Sequence, residues 1–312
     1  LAIKSAEEAV DYVPTMNALA RRLARRCWPG PVTLVVDDAH PDGLAQQFSE
    51  TVRQLVCPKG TLGLRVAASE CLTEVLRLLA GPIALTSANH SGQPEAVNAQ
   101  QVADPLGDEV DLILDDGRCS YGQASCVVRV HDQHFEVLRE GVVATATLRR
   151  LASRLIVLVC TGNTCRSPMA ELLMQAALAS RLGCTPQELE VHGVMVMSAG
   201  IAASNGAPPS AEAVAVMQEH GLDLSQHESH PLTEQLVRHA DVILTMTNGH
   251  RQAIVQQWPD AADRTQTLLP GGHDVADPIG RPIEIYRQCA DQIKQAVDDF
   301  ATSCNEQETR GN

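Results

Sequence analysis

Aromatic and basic residues are scarce in this sequence. Phe, Trp and Tyr make up 3% of its 312 residues, and 24 Lys and Arg stand against 38 Asp and Glu, which gives a formal net charge of −14. Broad surfaces for nucleic-acid phosphates need clustered cations, so we expect no direct nucleic-acid partner. The sequence also lacks an apolar run of about 18 residues, so we expect no membrane partner.

The ten cysteines follow neither a metal-binding nor a disulfide pattern. No Cys-x-x-Cys pair occurs, and the cysteines and 11 histidines do not cluster at ligand spacing. We therefore expect no zinc or other metal site. Thiols without a disulfide framework are typical of reduced cytoplasmic proteins, and the sequence predicts that location.

The stretch that organises the chain is 160–168, Cys-Thr-Gly-Asn-Thr-Cys-Arg-Ser-Pro. The apolar run before it, 155–159, predicts a strand buried on both faces. After it Pro168 suits a first helical turn, and apolar residues recur at helical spacing: Met169, Leu172, Leu173 and Ala176. A loop between a strand and a helix start directs free backbone N–H groups at one point, which favours a phosphate-sized anion.

The residues of this loop predict nucleophilic chemistry. Backbone amides, the helix start and Arg166 favour the thiolate form of Cys160. A thiolate can attack phosphorus, while an arginine can hold two phosphoryl oxygens. Ser167 is placed to donate a hydrogen bond to the sulfur, and Asn163 to brace the loop. Cys-x5-Arg alone is common by chance, and the alternative is an inert loop with buried cysteines; the flanking strand and helix favour catalysis.

This chemistry needs a proton for the leaving group, and Asp277 is the candidate acid. It lies in the loop 271–280, Gly-Gly-His-Asp-Val-Ala-Asp-Pro-Ile-Gly. The proline after the aspartate fixes a rigid, extended turn. Asp-Pro is an ordinary loop dipeptide by default, so its assignment depends on the nucleophile loop upstream.

The rest of the second half alternates between predicted strands, at 186–189, 194–198 and 241–246, and predicted helices, at 211–220 and 285–300. In such folds the loops that bind ligands lie at the carboxyl edge of a parallel sheet. Four histidines in polar surroundings are interpreted as surface residues rather than catalytic ones: His220, His227, His230 and His239.

Four motifs identify a resemblance for residues of about 155–300: the twelve residues 160–171, Ser-Ala-Gly at 198–200, Pro-Leu-Thr-Glu at 231–234 and Ala-Asp-Val-Ile-Leu-Thr-Met-Thr at 240–247. This region resembles the low-molecular-weight protein-tyrosine-phosphatase family, and within it the bacterial protein-arginine-phosphatase branch. The resemblance implies a doubly wound parallel sheet with helices on both faces.

The resemblance also implies roles for single residues. Cys160 would be the nucleophile that forms a phosphocysteine, Arg166 the phosphate clamp and Asp277 the general acid. The phosphate-binding loop and its support would comprise Thr161, Gly162, Asn163, Thr164, Cys165, Ser167 and Ser198. No cofactor or metal is implied, and the substrate would be a phosphorylated protein. Spacing and family together suggest a reversible Cys160–Cys165 disulfide under oxidation.

Two substrates remain open, phosphoarginine and phosphotyrosine. Tyrosine-directed members usually have an aliphatic residue where Thr161 stands, whereas the arginine-directed branch has threonine, whose hydroxyl can help to hold a water or the phosphoguanidinium. Ile279 follows Asp-Pro where an aromatic is usual, which weakens the tyrosine hypothesis but also departs from the arginine branch. We favour phosphoarginine. Arsenate reduction would need further cysteines near the site, and Cys184 and Cys289 lie outside that region.

The first half alternates strand and helix patterns typical of a separate α/β domain. Strands are predicted at 32–36, 63–66, 82–86, 111–117, 124–130 and 136–141, and helices at 15–27 and 72–79. Five motifs resemble the YrdC-like threonylcarbamoyl-adenylate synthases over about 1–143: 28–33, 85–92, 115–117, 124–128 and 138–141. That family implies ATP, L-threonine and bicarbonate as substrates in tRNA modification. The implied contact residues are Thr33, Ser87, Asn89, Ser125 and Arg139.

The YrdC-like resemblance is partial. Cys126 stands where the family usually has threonine, and the family's opening third is expected to lie before Leu1. We therefore predict a partial YrdC-like α/β domain at 1–148, a short helical connector around 143–154, and a phosphatase domain at 149–312. The synthase could be the main activity of a longer bifunctional product, or the first half could be only a docking platform.

Overall fold

Two four-stranded sheets lie in separate parts of the chain. The computed structural model describes residues 1–38 and 40–310. It divides into two units, Leu1–Ala152 and Ser153–Asn312, each containing one of the sheets. Among the described residues, no helix has both the length and the apolar character needed to cross a membrane.

Unit 1 contains four strands in the order β2-β1-β3-β4: β1 Val32–Asp37, β2 Thr61–Leu64, β3 Cys126–Val130 and β4 Phe135–Arg139. β1 is parallel to β3, and the other two pairs are antiparallel. Its helices are α1 Ala9–Tyr12, α2 Ala18–Cys27, α3 Glu50–Val56, α4 Glu70–Leu78, α5 Ala99–Leu106 and α6 Thr145–Ala152, with a 3-10 turn at Leu44–Gln47.

The core of unit 1 forms between α2 and the sheet. Asn17 caps α2 by accepting a hydrogen bond from the Ala20 backbone N–H at 2.8 Å, which satisfies one of the free amides at a helix start. Leu23 of α2 and Leu34 of β1 are fully buried. Trp28 is buried with them, and its indole N–H donates to the Val32 carbonyl at 2.7 Å, so its polar group is satisfied.

Two strands predicted for the first half are absent from the described residues. The segments 82–86 and 111–117 carry apolar patterns, but only an isolated bridge between Ala2 and Ile83 pairs either of them. Leu112 and Leu114 are 73% and 58% exposed. A strand needs a neighbour to pair with, and neither segment lies beside one over its length.

Unit 2 contains four parallel strands in the order β6-β5-β7-β8: β5 Arg154–Cys160, β6 Val194–Gly200, β7 Val242–Thr245 and β8 Thr265–Thr267. Its helices are α7 Arg166–Leu182, α8 Ala211–Glu219, α9 Glu234–His239, α10 Asn248–Gln257 and α11 Ile283–Arg310. Short 3-10 turns lie at Pro186–Glu188, Pro259–Arg264 and Pro270–Gly272.

Alternate residues of β5 fill two cores on opposite faces of this sheet. Ile156 and Leu158 pack with α7, α8 and α11, whereas Leu155 and Val157 pack with α9 and α10. A strand covered on both faces explains its uninterrupted apolar sequence. The predicted doubly wound parallel sheet with helices on both faces is confirmed.

The predicted strand at 186–189 is wrong. Pro186–Glu188 is a 3-10 turn, because Thr185 and Glu188 form a capping box in which Glu188 Oε2 accepts the Thr185 backbone N–H at 2.8 Å. The chain rejoins the sheet at Val194, in register with Arg154 of β5.

Candidate active site

The nucleophile loop lies at the carboxyl edge of the unit 2 sheet, where β5 ends and α7 begins. Cys160 is the last residue of β5, and its side chain is buried. Its Sγ lies 3.0 Å from Ser167 Oγ and accepts the Asn163 backbone N–H at 3.2 Å. The sulfur therefore accepts one backbone N–H and lies within hydrogen-bond distance of the Ser167 hydroxyl, which also bonds the Ala199 carbonyl oxygen at 3.3 Å.

Asn163 holds the loop in shape. Its φ of 55° lies in the left-handed region, which asparagine tolerates better than most residues. Its amide nitrogen Nδ2 donates to Ser167 Oγ at 3.0 Å and to Ser198 Oγ at 2.9 Å. Its Oδ1 accepts the His230 backbone N–H at 2.7 Å. The buried amide is thus satisfied on both ends, which ties the loop to β6 and to the segment after α8.

Two side chains for which the sequence predicted no role in the site, Glu171 and His227, support this network. Ser198 Oγ donates to Glu171 Oε2 at 2.5 Å, and burial raises the pKa of Glu171. His227 Nε2 lies 2.9 Å from the Asn163 carbonyl oxygen, and burial lowers the pKa of this histidine. His227 is half-buried against the loop, so its interpretation as a surface residue is wrong.

The glycine of the Ser-Ala-Gly motif ends β6 beside the loop. A Cβ added to Gly200 would lie 2.5 Å from the Thr161 carbonyl oxygen and 2.9 Å from the Asn163 nitrogen. Both are closer than real Cβ contacts, and both are backbone atoms that cannot move aside cheaply. Only glycine therefore lets β6 approach the nucleophile loop this closely.

The structure brings the clamp and acid candidates together. Arg166 is 5% exposed, and its Nη1 donates to the Val275 carbonyl oxygen at 3.2 Å. Its Nη2 forms an ion pair with Asp277 Oδ2. The other carboxylate oxygen, Oδ1, accepts the Ile279 backbone N–H at 3.2 Å, which fixes the orientation of the carboxylate beside Arg166. Ile279 itself is 64% exposed.

Thr161 is exposed, but its hydroxyl has a buried partner. Thr161 Oγ1 lies 2.9 Å from Nε2 of His250, and Nδ1 of that ring lies 2.9 Å from Thr247 Oγ1. Burial, followed by the positive charge of Arg166, lowers the pKa of His250. His250 was missed by the sequence; the available signal was a Thr-x-x-His at the end of β7, on the same sheet edge as the nucleophile.

The remaining loop residues face α8 and α11. Cys165 is buried, and its Sγ donates to Ser210 Oγ at 3.3 Å and lies 3.7 Å from the Tyr286 hydroxyl. The Thr164 carbonyl oxygen accepts the Ser210 backbone N–H at 2.9 Å. Gly162 is half-buried, and a Cβ added to it would meet Thr164 Oγ1 at an ordinary contact distance of 3.6 Å. Cys165 thus lies behind the loop, on the side of α8.

Of the five residues predicted for the first half, two are brought together. Arg139 Nη2 donates to the Ser125 carbonyl oxygen at 2.9 Å and to Ser125 Oγ at 3.1 Å. Thr33 lies on β1, in register with Val127 of β3. Ser87 is exposed and Asn89 is half-buried, and within the described part of the chain no hydrogen bond joins them to the Ser125–Arg139 pair.

Cys126, the departure from the YrdC-like pattern, is fully buried. Its Sγ donates to the Val143 carbonyl oxygen at 3.2 Å and lies 3.3 Å from the Val143 nitrogen. The thiol therefore occupies a polar contact that a threonine hydroxyl could also make. In the described residues, no three His, Cys, Asp or Glu side chains are grouped so that they could hold a metal ion.

A nucleophilic cysteine at the end of a parallel strand, with an arginine opening the next helix, defines a class of cysteine-dependent phosphatases. Residues 155–310 match the family model described as low molecular weight phosphotyrosine protein phosphatase. That match covers half of the chain, and the chain belongs to this family. Residues 1–141 match the Sua5, YciO and YrdC family model, described as telomere recombination. The predicted combination of the two families is confirmed.

Curated relatives align with the second half. A protein-arginine-phosphatase of Geobacillus stearothermophilus is 39% identical over 150 residues, 47% of this chain and 93% of the relative. A probable low molecular weight protein-tyrosine-phosphatase, EpsP, of Ralstonia nicotianae is 36% identical over 147 residues, 46% of this chain and 90% of the relative. The solved YwlE arginine phosphatase from Geobacillus stearothermophilus aligns at 36% identity with a TM-score of 0.44, over 51% of this chain and 97% of that chain.

Proposed function

We propose that the second half of the chain hydrolyses phosphoarginine on proteins through a phosphocysteine intermediate. The observation that carries this proposal is the meeting of three groups at one sheet edge. Cys160 Sγ accepts a backbone N–H from the loop, while Arg166 opens α7 and pairs with Asp277. These are the nucleophile, the anion clamp and the proton donor that phosphoryl transfer to a thiolate requires.

In the first step the Cys160 thiolate attacks phosphorus in line with the bond to the leaving group. Arg166 and the loop amides hold the phosphoryl oxygens, and Asp277 leaves the guanidinium as the phosphoryl group arrives. Once released, the Asp277 carboxylate takes up a proton from the solvent, and in this acid form it protonates the departing nitrogen of the arginine side chain as the P–N bond breaks and the S–P bond forms. Ser167 supports the sulfur through its hydrogen bond.

In the second step water hydrolyses the phosphocysteine. Asp277, now a carboxylate, takes a proton from the water as the new P–O bond forms and the S–P bond breaks. The products are inorganic phosphate and the regenerated thiolate. Apart from the substrate and this water, the groups that act in the cycle are side chains and backbone amides of the chain.

Phosphotyrosine is the second candidate substrate, because a 36% identical relative is named a probable protein-tyrosine-phosphatase. Two features favour phosphoarginine. A relative at 39% identity is named a protein-arginine-phosphatase. The exposed Ile279 supplies no ring against which a phosphotyrosine could stack.

The test is phosphate release from a phosphoarginine peptide and a phosphotyrosine peptide, measured side by side with Cys160→Ser as the control. Faster turnover of phosphoarginine by the parent chain supports the proposal. Faster turnover of phosphotyrosine would instead make phosphotyrosine the favoured substrate. Release from neither peptide, by a chain that circular dichroism shows to be folded, refutes the phosphatase function.

For the first half, we propose ATP binding at the Ser125–Arg139 pair, within a threonylcarbamoyl-adenylate synthase domain that also takes L-threonine and bicarbonate. The family match over 1–141 and the paired Ser125 and Arg139 side chains support this proposal. We also propose a boundary with the phosphatase at 148/149, within α6 and four residues before the point where the two compact units divide, and a cytoplasmic location for the protein. Titration calorimetry of the chain with ATP tests the binding; heat that is unchanged in Arg139→Ala contradicts the assignment of this residue.

A further inference from the structure

His250 bonds two threonine hydroxyls from opposite sides of its ring. Its Nε2 lies 2.9 Å from Oγ1 of Thr161 in the nucleophile loop, and its Nδ1 lies 2.9 Å from Oγ1 of Thr247, the residue that caps α10. The ring is 6% exposed. Each nitrogen therefore depends on its threonine for a hydrogen bond, since little water reaches the ring.

Counting donors and acceptors selects one tautomer of His250. Thr247 Oγ1 already accepts the His250 backbone N–H at 3.2 Å, and among the described residues the one acceptor within reach of its own proton is Nδ1. If Thr247 donates to Nδ1, the ring proton lies on Nε2 and is donated to Thr161. The opposite tautomer would leave the Thr247 hydroxyl proton without an acceptor among the residues that the structure describes. Burial and the charge of Arg166 lower the pKa of His250, so the ring is neutral at neutral pH and carries one N–H.

This tautomer fixes what Thr161 offers to a substrate. One lone pair of Thr161 Oγ1 accepts the His250 N–H, so the hydroxyl proton and a second lone pair remain for the open side of the loop. Phosphoarginine carries a phosphoryl oxygen that accepts and, one bond from phosphorus, an N–H that donates. Phosphotyrosine has only acceptors at the same place. A hydroxyl that both donates and accepts therefore complements the first group better than the second.

We propose that His250 is a positioning residue that makes Thr161 a paired donor and acceptor for the phosphoguanidine group, and so a determinant of selectivity. The inference rests on the proposed phosphatase function and deepens its choice of substrate.

The kinetic test compares kcat/KM for a phosphoarginine peptide with kcat/KM for p-nitrophenyl phosphate, which has no N–H beside phosphorus. His250→Asn places an amide near Nδ1 but leaves nothing at Nε2, so the ratio should fall about three- to tenfold, the effect of one hydrogen bond. His250→Gln can return an N–H to the Nε2 position and should restore most of the ratio. Thr161→Val should show the same fall, and adding His250→Asn to it should lower the ratio no further.

Two results overturn the inference alone: an unchanged ratio in His250→Asn, or a further fall when His250→Asn is added to Thr161→Val. A purely structural role for His250 would lower both activities together and would not distinguish Gln from Asn. If His250→Asn fails to fold, Thr161→Val decides, since an unchanged ratio there also overturns the inference. A parent chain inactive on both substrates refutes the proposed function, and the inference with it.

The tautomer can be measured without turnover. In a long-range nitrogen–proton NMR spectrum of the ¹⁵N-labelled chain, His250 should show a protonated Nε2 and an unprotonated Nδ1, with assignment by comparison to His250→Gln. A proton on Nδ1 would make the Thr161 hydroxyl donate to Nε2 of His250, which would leave Thr161 only lone pairs for the substrate and overturn the inference.

Discussion

Replacing Asn163 should separate the contributions that hold the nucleophile loop. Asn163→Ala removes two donations from Nδ2 and the acceptor for the His230 N–H. At about 1 kcal/mol for each hydrogen bond, the loss is about 3 kcal/mol. Alanine must also adopt the left-handed φ of 55°, which adds roughly 1 kcal/mol. We therefore expect Asn163→Ala to destabilise unit 2 by about 4 kcal/mol.

Two further variants separate the hydrogen-bond part of this stability loss from the part due to the backbone conformation. Asn163→Gly loses the same three hydrogen bonds but accepts a left-handed φ without strain, so it should be roughly 1 kcal/mol more stable than Asn163→Ala. Asn163→Asp keeps the acceptor for His230 and loses both donations, and it adds a negative charge near the sulfur. Asn163 is fully buried, so this carboxylate would lack a cationic partner; the stability loss should be at least as large as that of Asn163→Ala, and the nucleophile should be weaker.

Differential scanning calorimetry of the chain measures these losses, with the transition of unit 1 as an internal control. A loss of 4 kcal/mol corresponds to a fall in Tm of roughly 8–16 °C for a unit of this size. Displacing the loop should also lower kcat/KM by about 100-fold. A loss below about 1 kcal/mol for Asn163→Ala would refute the role of the side chain, and equal Tm values for the Gly and Ala variants would refute the backbone argument.

Four other predictions follow from the site. Asp277→Asn should lower kcat on phosphoarginine by roughly 10²–10⁴-fold because no proton reaches the leaving nitrogen; a p-nitrophenyl leaving group, which needs little protonation, should be affected less, and equal losses on both would count against the acid role. Half-buried His227 and buried His250 have lowered pKa values, so near their ordinary value of 6.5 the unfolded chain binds more protons than the folded one. The stability of unit 2 should therefore fall as pH drops through that value. Calorimetry between pH 8 and pH 5 covers roughly one unit or more on either side of the pKa of an ordinary histidine. A Tm of unit 2 that stays constant over this range would contradict the prediction. Gly200→Ala should destabilise unit 2 by about 1–3 kcal/mol through its clash with the Thr161 carbonyl, whereas Gly249→Ala, whose added Cβ would meet only Thr247 Oγ1 at 3.6 Å, should be near neutral. Peroxide should inactivate the enzyme with a Cys160–Cys165 disulfide detectable by mass spectrometry and reversible by thiol, and inactivation without that linkage would exclude the pairing.

The nucleophile segment could be predicted from sequence because its signals are local. The apolar run at 155–159, the polar loop and the helical spacing after Pro168 each depend on neighbouring residues, and β5 and α7 form there. The segments 82–86 and 111–117 carry similar local patterns, yet neither forms a strand among the described residues. Strand formation depends on a partner elsewhere in the chain, which a local pattern does not contain.

The supporting residues of the site could not be predicted for a related reason. His250 meets Thr161 across 89 positions, and Glu171 meets Ser198 across 27. Such pairs form only when helices, strands and loops that are distant in the sequence pack together around the site. The sequence could place Cys160, Arg166 and Asp277 by motif, but histidines outside the motifs offered only their polar surroundings, which led to the wrong interpretation of His227.

The pairing of Arg166 with Asp277 makes the acid an internal competitor for the clamp. A buried guanidinium needs a negative partner, and before substrate binds this partner is the carboxylate at the loop's mouth. Any anion that enters must first displace it, so part of the binding energy of a phosphoryl group is used to release Asp277. Under the proposed function, a phosphoryl dianion takes the place of the carboxylate on Arg166, and the released Asp277 is then free to take up the proton that it gives to the leaving group. Occupancy of the site and availability of the acid are therefore the same event.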